Sequence, residues 1–171
     1  LPIGNNAYVY PSFSGSFVFS ELLKQSDLMP YGKFRLSWAQ VGSDTDPYQL
    51  GLVYSKSKFT YPGYTIGYIN NSTMPNKNLK PTKTNSFELG LEMKFLKNRI
   101  GLDFTYYTQN SKNQIMGMAS SWTSGYNYRL INAGEIENKG IEIALNTRPI
   151  ELKDFSWDLN LNFSKNSNKV K

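Results

Sequence analysis

The stretch "SFELGLEMKFLKNRIGLDFTYY", Ser86–Tyr107, decides the fold. Phe87, Leu89, Leu91, Met93 and Phe95 fall on one parity; Glu88, Gly90, Glu92 and Lys94 fall on the other. After Lys97–Arg99 the rhythm resumes, with Ile100, Leu102, Phe104 and Tyr106 against Gly101, Asp103, Thr105 and Tyr107. A period of two is the signature of a strand that shows one face to an apolar medium and one to water. A break of this length is what a hairpin turn occupies. The stretch therefore reads as two antiparallel strands, each with one clean apolar face.

The same pattern recurs along the chain. "SFSGSFVFS" (12–20) places Phe13, Gly15, Phe17 and Phe19 together, and "KFRLSWAQV" (33–41) sets Phe34, Leu36 and Trp38 against Arg35, Ser37 and Ala39. Within "LINAGEIENKGIEIAL" (130–145), Ile141, Ile143 and Leu145 oppose Gly140, Glu142 and Ala144. "FSWDLNLNF" (155–163) sets Phe155, Trp157, Leu159, Leu161 and Phe163 against Ser156, Asp158, Asn160 and Asn162. Among the alternating residues just named, every charge lies on the polar parity. Composition agrees with an all-β chain: 12 Tyr, 10 Phe and an aromatic share of 15% beside a hydrophobic share of only 39%.

Alternation alone leaves two architectures open, since a soluble β-sandwich writes the same code with its apolar faces turned to a core. Connection lengths favour a membrane barrel. Residues 97–99 and 147–154 make short links and 21–32 a moderate one, whereas 42–83 and 109–134 are long. Long loops without structure are uncommon in compact domains, while short turns at one end and long loops at the other are usual in outer-membrane barrels. Segments of about nine to eleven residues also suit a tilted crossing of the hydrocarbon layer. The expected fold is an antiparallel up-and-down array of about six strands; the smallest single-chain barrels have about eight, and open edges cannot stand in lipid. Residues 1–171, from "LPIG" to "NKVK", are accordingly expected to be an internal piece of a larger barrel, without a plug domain.

Four stretches carry a family resemblance: "YGKFRLSWAQVGSDTDPY" (31–48), "NLKPTKTNSFELGLEMKFLKNRIGLDFTYY" (78–107), "LINAGEIENKGIEIALNTRPI" (130–150) and "DFSWDLNLNFSKNSNKV" (154–170). In order and spacing they resemble the SusC/RagA-like, TonB-linked outer-membrane transporters. The family often carries Pro where Lys77 stands and Glu where Thr82 stands, departures that touch only a strand entry. The resemblance implies a plugged barrel of about 22 strands in the outer membrane, importing glycans or peptides. It implies TonB as the energy source and a SusD-like lipoprotein as a lid. This chain would supply wall and extracellular loops.

On the barrel reading Arg35, Glu88, Glu92, Lys94, Asp103, Glu142 and Asp158 face the lumen. Outer-membrane lipid then meets Phe34, Leu36, Trp38, Leu89, Leu91, Met93, Leu102, Phe104, Ile141, Ile143, Leu145, Trp157, Leu159 and Leu161. Trp38, Tyr106, Trp157 and Phe163 suit the aromatic girdles at the interfaces. Within the first hairpin, placing Lys94 across from Asp103 avoids opposing Glu92 to Asp103 and is the register the charges prefer. Loop aromatics are the candidate ligand contacts: Tyr61, Tyr64 and Tyr68 in the first long connection, Trp122, Tyr126 and Tyr128 in the second. Their ring faces can carry a sugar or peptide side chain, or they can pack the loops together.

Other chemistries find little support. The chain has no Cys and no His, which removes thiolate nucleophiles, His-based triads and most zinc sites. The strand carboxylates are spread along a wall and better explained by ion pairs with Arg35 or Lys94 than as a glycosidase pair. Asp44 and Asp46 have a spacing seen in calcium loops, but turn chemistry before Pro47 accounts for them. The net charge of +6 is dispersed, unlike the basic face of a nucleic-acid binder. No enzyme, metal or cofactor is expected. The alternative to the importer is a soluble β-sandwich that binds cell-surface glycans.

Overall fold

The computed structural model describes residues 8–22, 28–46, 50–69 and 72–171. The strands are β1 (Ser12–Phe17), β2 (Tyr31–Ser43), β3 (Tyr54–Tyr61), β4 (Tyr64–Ile69), β5 (Thr73–Met74), β6 (Thr82–Phe95), β7 (Ile100–Lys112), β8 (Ile115–Ala119), β9 (Tyr128–Asn132), β10 (Glu135–Glu151) and β11 (Ser156–Val170). Two short 3-10 turns, Phe19–Glu21 and Trp122–Ser124, are the only helical elements among the described residues. The chain is all-β, and no helix among the described residues is long and apolar enough to cross a membrane, which says nothing about crossing by strands.

Two units are distinguished. The first is a wall of six strands in the order β1-β2-β6-β7-β10-β11, open at both edges. β1 pairs antiparallel with β2, Phe13 facing Trp38 and Phe17 facing Phe34. β10 pairs antiparallel with β11, placing Ile143 across from Phe163 and Leu145 across from Leu161. A register shift between Thr147 and Ile150 bends this pair near its turn. β6 and β7 are joined by a turn over Leu96–Arg99, closed by the Arg99 N–H donating to the Leu96 carbonyl at 3.2 Å.

The second unit is built from 42–83 and 111–135, the two long connections. These are not structureless. β3 and β4 form a hairpin in which Tyr61 faces Tyr64. Its two-residue turn is Pro62-Gly63: proline presets φ near −65° and Gly63 takes φ +84°, the combination of a type II turn. β8 and β9 pair antiparallel, and β9 also pairs in parallel with β5. Asn132 ties the two insertions together: its Oδ1 accepts from the Lys80 N–H at 2.7 Å. Its Nδ2 donates to the Lys80 and Asn113 carbonyls at 2.6 and 3.0 Å. Beside it lies Leu79, at 4% exposure the one buried hydrophobic residue among those described.

That last fact separates the two architectures left open above. A sandwich would bury its apolar stripes between two sheets. Here none of the fourteen stripe residues named above is buried; Phe34, Trp38, Trp157 and Leu161 are exposed and the rest half-exposed. The wall has an apolar face and no dry interior.

Three expectations need correction. Phe19 does not extend β1: the chain turns at Val18, and the Phe19 ring lies against Gly32, where an added Cβ would come 2.4 Å from Cζ. Gly32 thus trades a side chain for a ring. Strands β2, β6, β7, β10 and β11 run to 13, 14, 13, 17 and 15 residues, longer than a hydrocarbon crossing requires. In β10 and β11 the extra length carries Glu137, Lys139, Lys165 and Lys169 on the same parity as the apolar stripe. Charge is therefore absent only from the middle of that face.

Candidate functional site

The polar face of the wall is organised by Arg35. Its guanidinium binds Asp103 with Nη2 at 2.8 Å from Oδ1 and 3.1 Å from Oδ2, while Nη1 lies 3.7 Å from Glu92 Oε2. Arg35 comes from β2, Glu92 from β6 and Asp103 from β7, so one side chain crosses three strands. It can do so because Gly90 leaves its path bare; a Cβ there would stand 2.7 Å from Nε. The sequence offers Lys94 as the charge partner of Asp103; in the structure that partner is Arg35. The Lys94 ammonium sits 5.2 Å from the centre of the Tyr31 ring. Arg35 neutralises both carboxylates together, which offsets the repulsion between them.

The other polar residues join the same face. A hollow bordered by Ser14, Ser16, Ser37 and Arg35 includes Glu88. Another is bordered by Asp103, Thr105, Glu142 and Asn162. A third gathers Lys94, Gly101, Asn146 and Asn160 with Asp158, whose Oδ1 accepts from Arg148 Nε at 2.7 Å. Arg148 also approaches Glu151 at 3.4 Å. It was not singled out in the sequence, although it continues the even parity of Gly140, Glu142, Ala144 and Asn146. The Tyr107 hydroxyl lies over Gly140, 2.7 Å from where a Cβ would be. Gly140 is thus a seat for a neighbouring ring. The turn in "NAGEIEN" belongs to Gly134, with φ +80°.

The loop aromatics separate into two groups. Tyr61 and Tyr64 flank the Pro62-Gly63 turn with ring centroids 6.5 Å apart and exposures of 68% and 72%. Tyr68 sits further along β4, across from Ser55. Trp122, in the second 3-10 turn, is 82% exposed; Tyr126 is half-buried and Tyr128 exposed. Among the described residues no ring contact joins these last three to one another or to the hairpin tyrosines. Asp44 Oδ1 accepts from the Thr45 N–H at 2.8 Å, as turn chemistry requires; Pro47 lies outside the described residues. Past the apolar stripe, Glu137 is bound by Lys171 at 2.5 Å and Lys139 at 3.7 Å. The hydrogen bond and charge of Lys171 hold its carboxyl below the usual carboxylate range.

Among the described residues no group of three or more Asp or Glu could hold a metal ion. The six-stranded wall has one apolar parity and one parity bearing the bonded charges of Arg35, Glu92 and Asp103. Residues 3–170 match the model of the family described as TonB dependent receptor-like, beta-barrel. The TonB-dependent receptor P3 of Formosa agariphila is 30% identical over 97% of this chain, which spans 17% of that relative. The TonB-dependent receptor SusC of Bacteroides thetaiotaomicron is 29% identical over 94% of the chain, again 17% of the relative. In fold, the RagAB peptide importer in its closed-closed state superposes with a TM-score of 0.86, at 19% identity over 99% of this chain and 19% of that one. The siderophore receptor PirA of Pseudomonas aeruginosa gives a TM-score of 0.54 at 20% identity, covering 94% of this chain and 30% of that one.

Proposed function

This chain belongs to the TonB dependent receptor-like β-barrel family of outer-membrane proteins, and we propose on that premise that it forms part of the wall and outer loops of a TonB-dependent importer. The observation that carries this reading is the six-stranded sheet whose apolar face has no protein core to enter, while Arg35, Glu92 and Asp103 are bound together on the opposite face. In hydrocarbon an uncompensated charge costs several kcal/mol, so the acidic and basic side chains belong to the aqueous bore. Phe34, Leu36, Trp38, Leu89, Leu91, Met93, Leu102, Phe104, Ile141, Ile143, Leu145, Trp157, Leu159 and Leu161 then face lipid. Open edges at β1 and β11 are completed by the remaining strands of the barrel.

The cargo we assign is an oligomeric nutrient, a glycan or a peptide, since the relatives include a protein named SusC and the fold matches a peptide importer. Tyr61, Tyr64, Tyr68, Trp122, Tyr126 and Tyr128 supply ring surfaces for it at the loop end. A SusD-like lipoprotein closes the mouth, and the TonB complex acts through parts of the barrel outside this segment.

Cysteine scanning of the full-length protein tests the face assignment, and the absence of Cys here makes the segment clean for it. Leu89→Cys, Leu91→Cys, Ile143→Cys and Leu161→Cys should be quenched by lipid-borne spin labels and resist a water-borne thiol reagent. Glu88→Cys, Glu92→Cys, Glu142→Cys and Asn160→Cys should behave oppositely. Loss of this alternation on β6 or β10 would end the reading.

A further inference from the structure

The apolar stripe of β10 and β11 changes abruptly into a cationic one. Following the register toward the insertion end, Leu145 faces Leu161 and Ile143 faces Phe163; then Ile141 faces Lys165, Lys139 faces Ser167 and Glu137 faces Lys169. All of these lie on one side of the two strands, because each is displaced from the last by two residues. Lys165 therefore stands about 7 Å beyond Phe163 along the strand, and Lys169 about 13 Å beyond Lys165, at the rise of an extended chain. Lys171 closes on Glu137. Lys139, Lys165, Lys169 and Lys171 thus outnumber the two carboxylates of this stretch: Glu137 is taken by Lys171 and Lys139, and Glu135 pairs with Lys112 at 3.7 Å. Lys165 and Lys169 are exposed and have no ion-pair partner among the described residues. At the turn end of the same pair, the stripe ends in Ile150 across from Trp157.

A flexible ammonium just above an apolar band can place its charge at the plane of membrane phosphates while its methylenes cover the band's edge. From this juxtaposition we propose that Lys165 and Lys169 form a docking surface for the phosphate-bearing headgroup of a lipid in the outer leaflet. The proposal rests on the barrel reading, since the surface must look into the membrane rather than into the bore. It assigns to β10 and β11 a role beyond closing the wall. They anchor an annular lipid.

The test uses full-length, delipidated protein in detergent and native mass spectrometry. Short-chain phosphatidic acid is the probe, with phosphatidylcholine of equal chain length as comparison. Wild type should prefer phosphatidic acid at least fivefold, and the preference should fall with added salt. Lys165→Gln/Lys169→Gln should abolish the preference, whereas the charge-matched Lys33→Gln/Lys153→Gln should keep it. Equal preference in wild type and the Lys165/Lys169 variant would overturn the assignment. Displacement of the lipid by an equimolar amount of inorganic phosphate would also overturn it, by making this a free-anion site. So would loss of a co-purifying protein in place of lipid. Failure of the barrel reading itself is read separately: the wild type would then be missing from the outer-membrane fraction and stay dispersed without detergent.

Discussion

Arg35 lies flat across Gly90, with Nε 2.7 Å and Nη2 2.9 Å from the position a β-carbon would take. Tyr107 does the same over Gly140, but there the backbone carbonyl of Lys165 also stands at 2.7 Å. The two glycines therefore predict different costs. At Gly90→Ala the obstacle is the end of a flexible side chain, which can swing at the expense of its bond to Asp103. At Gly140→Ala part of the obstacle is backbone, and only a displacement of β11 relieves it. We expect Gly140→Ala to destabilise the full-length barrel by about 1–3 kcal/mol, the range for overpacking, and Gly90→Ala by less. Adding Arg35→Ala should relieve Gly90→Ala, while adding Tyr107→Ala should relieve Gly140→Ala only in part. Denaturant midpoints in detergent measure all four.

The charge network makes a second prediction with a change of sign. With Arg35 present, Glu92 is one of two carboxylates that share its guanidinium. Removing that cation leaves Glu92 and Asp103 near each other without compensation. Glu92→Gln should be neutral or slightly destabilising in the wild-type background and stabilising in Arg35→Ala. The groups are about one-third exposed, so each coupling should be within about 1 kcal/mol and shrink with salt. Double-mutant cycles at low and high ionic strength measure it. A coupling insensitive to salt would mean that Arg35 acts through packing alone.

The wall was legible because a strand between two media must repeat with period two. Ser86–Tyr107 carries both faces and the turn in its residue order alone. What escaped reading depended on partners distant in sequence. That Phe19 would leave β1 depends on Gly32, across a connection, offering a vacant Cα. That Asp103 would choose Arg35 over Lys94 depends on β2 being the neighbour of β6, which the sequence does not order. The insertions looked structureless because most of their strands are short and β5 finds its partner β9 far along the chain, although "TYPGYT" (60–65) already carried a turn signal in Pro62-Gly63. Arg148 hid in a segment read only as a link. The overshoot of β10 and β11 was missed because charges there interrupt the apolar rhythm while the ladder continues beneath them.

Asn132 makes a third prediction. Its side-chain amide forms three hydrogen bonds to the backbone of Lys80 and Asn113, standing in for a piece of strand. Asn132→Ala should loosen the insertions by about 1–3 kcal/mol, because backbone groups lose partners. Asn132→Asp keeps the acceptor toward Lys80 N–H and loses the donor, and should fall between. Limited proteolysis of intact cells, reading cleavage in 42–83 and 111–135, distinguishes the three. The β6–β7 hairpin should survive in all of them.

The turn at Leu96–Arg99 makes the last prediction. Leu96, Lys97 and Asn98 have φ of +51°, +56° and +67°, three non-glycine residues in succession in the left-handed region. Asn tolerates that region well, but for a side chain such as Leu it costs about 1–2 kcal/mol. Leu96 is exposed, so its side chain recovers little by packing. Its backbone N–H donates to the Leu28 carbonyl and its own carbonyl receives Arg99, bonds that any residue can make. Leu96→Gly should therefore stabilise the barrel by about 0.5–1 kcal/mol after the entropy of a freer unfolded chain is subtracted. Leu96→Ala keeps the left-handed penalty and should not stabilise, and Asn98→Gly should gain less than Leu96→Gly. Equal gains for Ala and Gly at position 96 would show that the side chain, rather than the backbone angle, is what the turn opposes.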